Sequence, residues 1–202
     1  MTRVFLAATA LLGLMIALAA CGGDDNSGDD TEAIRDVLVR SVTESDPSKR
    51  CESLSSELLR RLHGDQEGCL RHAEGDEPAD DAKVTDIQVD GDTATAKLEA
   101  VGGPSPGAAG GMALVREDGV WGISALGVDL LRDLVASGLD SPASGATQLA
   151  PEVLSCLHQA LDDLPDEEFR DYAYDAIGQK PEAESKLQGL ARDCLASSRP
   201  AS

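Results

Sequence analysis

The strongest constraint in this sequence is a double change of hydrophobic period. Between residues 31 and 73 apolar side chains recur at helical spacing; from 83 to 126 they alternate; from 127 onward the helical spacing returns. Alternation puts one side of a strand on a core and the other in solvent, so a chain with this order of periods folds as α+β. Ile34, Val37, Leu38 and Val42 fall at offsets 0, 3, 4 and 8, one face of a first helix over 31–44 with Thr31 as its N-cap. Asp46-Pro47 restarts the chain, and Pro47 suits a first helical position. Cys51, Leu54, Leu58 and Leu62 mark the stripe of a second helix, and 66–73 reads as a short third.

The alternating part reads as two successive hairpins. Residues 83–89 form a strand with Thr85, Ile87 and Val89 on one side, and Asp90-Gly91-Asp92 is a hairpin turn. Residues 93–101 set Ala94, Ala96, Leu98 and Ala100 against Thr93, Thr95, Lys97 and Glu99. The Gly-rich stretch 102–111 is expected to be a mobile loop; it lacks the strand–GxGxxG–helix setting of a phosphate site. Strands over 112–116 and 120–126 flank the turn Glu117-Asp118-Gly119, giving a four-stranded antiparallel sheet with a face for the earlier helices to cover.

The N-terminus carries a different signal. Arg3, an apolar run over 4–20 and the tetrapeptide Leu18-Ala19-Ala20-Cys21 have the layout of a secretory signal with small residues before its cut. The tetrapeptide resembles the lipobox of bacterial lipoproteins. That resemblance implies a signal peptide over 1–20 and acylation of Cys21, palmitate included. It places the protein on the extracytoplasmic face of the cell membrane with lipid as its first partner. Residues 21–30 contain no apolar side chain after Cys21 and read as a disordered tether, roughly 17 Å end to end as a flexible coil. Its acids, Asp24, Asp25, Asp29 and Asp30, lack the 12-residue loop of a calcium site.

Setting Cys21 aside leaves Cys51, Cys69, Cys156 and Cys194 of the five cysteines, an even number in an exported chain. Three pairings are possible. The local pairs, Cys51–Cys69 and Cys156–Cys194, are favoured because each falls within one compositional block. Aromatic residues are scarce, so cores must rest on Leu, Val, Ile and Ala and gain from covalent staples. The net charge of −20 argues against nucleic acid and against flat adsorption on an anionic membrane.

Residues 127–138 read as a helix leaving the sheet and 139–150 as a linker. The remaining 151–197 read as three helices with Cys156 and Cys194 on inward stripes, a small disulfide-closed module. This module resembles small helical modules of exported actinobacterial proteins. The order helix, helix, short helix, meander, with the last hairpin reading ALVREDGVWGISAL, resembles exported domains of the nuclear transport factor 2-like superfamily. The resemblance covers about residues 30–126 and, with the following helix, sets the domain at 31–138. It implies a curved sheet wrapped into a cone.

Chemistry is sparse. His63 and His72 flank Cys69 among charged neighbours, and these and His158 are expected at the surface; none has metal-ligand spacing. Asp86, Lys97 and Glu99 alternate with apolar residues and are expected to face solvent. No Ser-His-Asp order or nucleophile elbow occurs. No catalytic residue, metal site or cofactor is therefore assigned. Trp121, the one tryptophan, is either a core anchor or the wall of a pocket for an apolar ligand. The expected function is a non-enzymatic module binding a small apolar ligand or an envelope protein. The alternative is an isomerase or dehydratase with acid–base residues inside the cone.

Overall fold

The computed structural model describes residues 27–141 and 149–197. Cys21, the expected signal peptide and most of the expected tether lie outside these residues, as does the middle of the expected linker. The described residues form α1 (Ser27–Thr43), α2 (Pro47–Cys51), α3 (Ser56–His63) and α4 (Gln66–Ala73). These are followed by β1 (Asp81–Asp90), β2 (Thr93–Val101), β3 (Ala109–Glu117) and β4 (Val120–Leu126). Four further helices follow among the described residues: α5 (Val128–Asp140), α6 (Pro151–Asp162), α7 (Asp166–Ile177) and α8 (Pro181–Ser197). The strands form one antiparallel sheet in the order β1-β2-β3-β4. The class is α+β, with helices on both sides of the sheet in sequence.

α1 begins at Ser27, four residues before the expected cap, so Asp29 and Asp30 belong to its first turn rather than to a tether. Carboxylates are favourable there. Asp30 also has partners: its Oδ1 accepts from Arg116 Nη1 at 2.8 Å and from Trp121 Nε1 at 3.0 Å. These two contacts give a carboxylate in this polar stretch a partner on the sheet.

The expected second helix is two helices. Ser53 and Ser55 leave the helical path and dock beside β4, where the Ile123 N–H donates to the Ser53 carbonyl and the Ser55 N–H donates to the Ile123 carbonyl, both at 2.8 Å. Ser55 then caps α3 by accepting from the Leu58 N–H. α2 and α4 are joined by the Cys51–Cys69 disulfide, with Cα atoms 6.0 Å apart.

Two irregularities shape the sheet. In β1 the register jumps between Thr85↔Lys97 and Gln88↔Thr95, and Asp86 takes a φ of 54°. This bulge keeps Ile87 and Val89 inward but sends Thr85 to the outer face beside Lys97, correcting the assignment of Thr85 to the Ile87 side. In β4 a second shift, between Ala113↔Ala125 and Leu114↔Ile123, leaves Ser124 unpaired in the ladder. Bulges bend the strands that carry them. The β3–β4 turn has both central residues at positive φ, Asp118 at 52° and Gly119 at 84°, as the twist of a tight hairpin requires. Residues 109–111 belong to β3 rather than to the loop before it.

The inner face presents Ala94, Ala96, Leu98, Met112, Leu114, Trp121 and Ile123, all buried, to α1 and α5. α5 reaches the sheet closely because Gly110 lacks a side chain: a Cβ there would meet the Leu130 backbone nitrogen at 2.4 Å. The same core continues into Leu161, Phe169, Tyr172, Ala173 and Tyr174 of α6 and α7. Arg132 of α5 donates to the carbonyls of Leu161, Asp162 and Leu164, pairs with Asp166 at 3.2 Å, and lies 4.2 Å from the Phe169 ring centroid. The boundary expected at 139–150 therefore does not separate two cores; Leu139 and Asp140 still belong to α5. Only a small cluster of Val153, Leu157 and Cys194 stands beside the main core, at the Cys156–Cys194 disulfide with its Cα separation of 5.8 Å.

Candidate functional site

The outer face of the sheet is left open in its middle and forms the floor of a trough. Alternation along β2 and β3 places Thr93, Thr95 and Lys97 beside Gly111, Ala113 and Val115, so apart from Lys97 the floor is built of small side chains. α3 stands along one side and α7 closes one end. Two cavities of about 720 Å³ and 570 Å³ share Glu57, Gln88, Thr95, Ala113 and Ser124 and so form one continuous trough.

The α3–α7 wall is held by a compact charge network. Arg61 Nη1 lies 2.8 Å from Asp175 Oδ1, and its Nη2 lies 3.3 Å from Asp171. Lys180 Nζ lies 3.1 Å from the same Asp175 oxygen and donates to the Arg61 carbonyl at 2.9 Å. Burial pushes the Asp175 carboxyl up, but hydrogen bonds from Arg61 and Lys180 more than reverse this and hold it below the ordinary carboxylate value. The Arg61 guanidinium is raised chiefly by its hydrogen bond to Asp175. It also lies 5.7 Å from the centroid of the Tyr174 ring, whose hydroxyl accepts the Leu126 N–H at 3.0 Å and ties α7 to the end of β4. Across the floor Lys97 Nζ pairs with Asp86 at 2.9 Å, and the hydrogen bond raises the lysine. Asp86 and Lys97 are exposed, as alternation implied, and they also line the trough. Glu99 lies outside it and pairs with Lys83 at 2.9 Å.

Trp121 is not a wall of this trough. It is 3% exposed on the inner face, its Nε1–H is held by Asp30, and the Arg116 guanidinium lies 4.9 Å from its ring centroid. The pocket reading of Trp121 is thereby corrected: the ring anchors α1 to the sheet. The four cysteines form the two local disulfides. Cys21 is outside the described residues.

His63 and His72 come together, ring centroids 5.2 Å apart, away from the trough. His63 is not the surface residue expected. It is half-buried, its Nδ1 has no hydrogen-bond partner among the described residues, and burial, with the neighbouring His72, lowers its pKa. His72 Nδ1 lies 2.7 Å from the Gly68 carbonyl. His158 Nε2 lies 3.0 Å from Asp140. Among the described residues no group of three or more His, Cys, Asp or Glu is placed to hold a metal ion, and no helix is long and apolar enough to cross a membrane.

Sequence reasoning passed over Glu57, Arg61, Arg170, Asp171 and Asp175. The pairing of Arg61 with Asp171 and Asp175 spans more than 100 residues of chain. The only local hint was the spacing of Asp171 and Asp175, one helical turn apart on a face shared with Tyr174. Compared with known proteins, the chain matches no family model, no curated protein sequence and no solved structure.

Proposed function

We propose that this protein is a lipid-anchored extracytoplasmic binding module. In this reading Cys21 carries the acyl anchor, the cell membrane is its location, and the trough on the outer face of the sheet is its binding surface. The observation that carries the binding part is the open floor of small side chains between a fixed α3–α7 wall and the β1 bulge. A surface that stays concave and uncovered while the opposite face is fully packed is the default place for a ligand. The use of charge favours binding over acid–base chemistry. Several charged groups at the trough are paired with one another, Lys97 with Asp86 and Arg61 with Asp171 and Asp175, and the Asp175 carboxyl is lowered, which suits a permanent anion rather than a proton donor. The order of helices and meander, with bulges in β1 and β4 that curve the sheet, supports a nuclear transport factor 2-like assignment of the sheet domain.

Two substitutions test the two parts separately. Cys21→Ser should move the protein from the membrane fraction to the soluble one; unchanged fractionation would remove the anchor. Ala113→Trp should fill the floor and abolish ligand binding while thermal unfolding stays within a few degrees of the parent. Retained binding would remove the trough.

A further inference from the structure

The trough is graded in charge along its length. The half toward the hairpin turns is lined by Glu57, Asp90 and Glu117 and by no lysine or arginine. The half toward α7 holds Arg61, Lys97 and Arg170 together with Glu57, Asp86 and Asp171, so its charges balance. Most of these groups are engaged: Glu117 accepts from the Ser56 N–H and hydroxyl, Lys97 faces Asp86, and Arg61 faces Asp171 and Asp175. The side chains of Asp90 at the turn end, of Arg170 at the α7 end and of Glu57 where the two halves meet make no hydrogen bond or ion pair among the described residues. An occupant complementary to the trough is therefore cationic at the turn end and anionic at the α7 end.

The separation of the two ends limits the ligand further. From Thr93 to Lys97 the floor runs four residues along β2, about 13 Å at the rise of a strand. A single amino acid, with both charges on one carbon, cannot reach both ends, whereas an extended chain of four to five residues does. Gly111, Ala113 and Ser124 line the floor with small side chains, a strip that suits an extended backbone. The ladder bonds of β2 and β3 are already made, so recognition falls to charge and side-chain contact rather than to strand addition.

Resting on the binding role above, we propose that the trough takes an extended peptide segment of four to five residues, with a lysine or arginine at Glu57 and Asp90 and a carboxylate at Arg170. The test is titration of the full chain with terminally blocked Lys-Ala-Ser-Ala-Glu, against blocked Gln-Ala-Ser-Ala-Gln as the neutral reference, read by amide shifts and calorimetry. The charged peptide should bind at least about fivefold tighter, the scale of one well-placed exposed ion pair. Glu57→Gln with Asp90→Asn, and separately Arg170→Gln, should each remove about that factor for the charged peptide and leave the neutral one unchanged. These side chains have no partners to lose, so the fold is not at risk. Equal affinity for the two peptides, or variants without effect, overturns the peptide assignment. If the two peptides bind equally and Ala113→Trp abolishes both, the binding role stands and the charge reading falls. If neither peptide shifts the floor, both fall.

Discussion

Gly178 closes α7 where it meets the end of α3, and its replacement by alanine tests the wall of the trough. Its φ of −76° is open to any residue, so backbone strain is not at issue. A Cβ there would lie 2.3 Å from the Leu62 carbonyl oxygen, 0.7 Å inside the 3.0 Å that real Cβ contacts respect. The obstacle is backbone, which cannot rotate aside as a side chain would. Replacing an unstrained glycine by alanine ordinarily stabilises by about 0.4–1 kcal/mol, through the unfolded chain. Overpacking of this kind costs about 1–3 kcal/mol. Gly178→Ala is therefore expected to lose about 1–2 kcal/mol net, a fall in Tm of roughly 2–8 °C for a chain of this size. Gly189 is the control. It lies inside α8 with nothing within 4 Å of an added Cβ, so Gly189→Ala should gain about 0.8–1 kcal/mol. Thermal unfolding of the non-reduced protein, followed by circular dichroism, reads both. Opposite signs support the close α3–α7 contact; a Gly178→Ala variant as stable as the parent, or more so, refutes it.

Other consequences follow from the same geometry. His63 is held below its ordinary value by burial and by His72, so its contribution is full above about pH 6.5 and is lost as pH falls through its folded value. Asp175, also lowered, contributes fully above about pH 3.9 and loses that contribution as pH falls further. Urea midpoints measured against pH should decline in two steps, with His63→Gln flattening the upper and Asp175→Asn the lower; unchanged slopes would contradict these environments. Opening the Cys156–Cys194 bridge by double serine substitution should cost about 4 kcal/mol, and opening Cys51–Cys69 about 3 kcal/mol, because the first closes the longer loop. Equal denaturant midpoints with and without the bridges would refute this. Asp30→Ala should leave the Trp121 N–H and the Arg116 guanidinium without their shared acceptor, at about 1–3 kcal/mol, with a changed near-ultraviolet tryptophan signal; an unchanged spectrum would place Asp30 elsewhere.

What the sequence disclosed was what is local. The alternation of Ala94, Ala96 and Leu98 against Thr93, Thr95 and Lys97 set the faces of β2 correctly, and the Asp-Gly steps marked both hairpins. The even cysteine count, with each pair inside one block, led to the bridges found. What it concealed depends on distant partners. Leu54, Leu58 and Leu62 keep helical spacing across a break made by Ser53 and Ser55 pairing with Ile123. Asp86 gives no sign of its bulge because its positive φ answers to the register of the whole hairpin. Asp30 read as tether because its donors, Arg116 and Trp121, lie more than 80 residues away. The trough was illegible for the same reason: its walls come from α3 and α7, and Arg61 finds Asp175 only in the folded chain.

The central claim is that the outer sheet face is a binding surface. An amide chemical-shift map of the full chain titrated with blocked peptides of varied charge tests it most directly. Saturable shifts are expected at Thr95, Gly111, Ala113 and Ser124, with the ends of α3 and α7 following. Shifts confined to α6 and α8, or none at millimolar peptide, would contradict it.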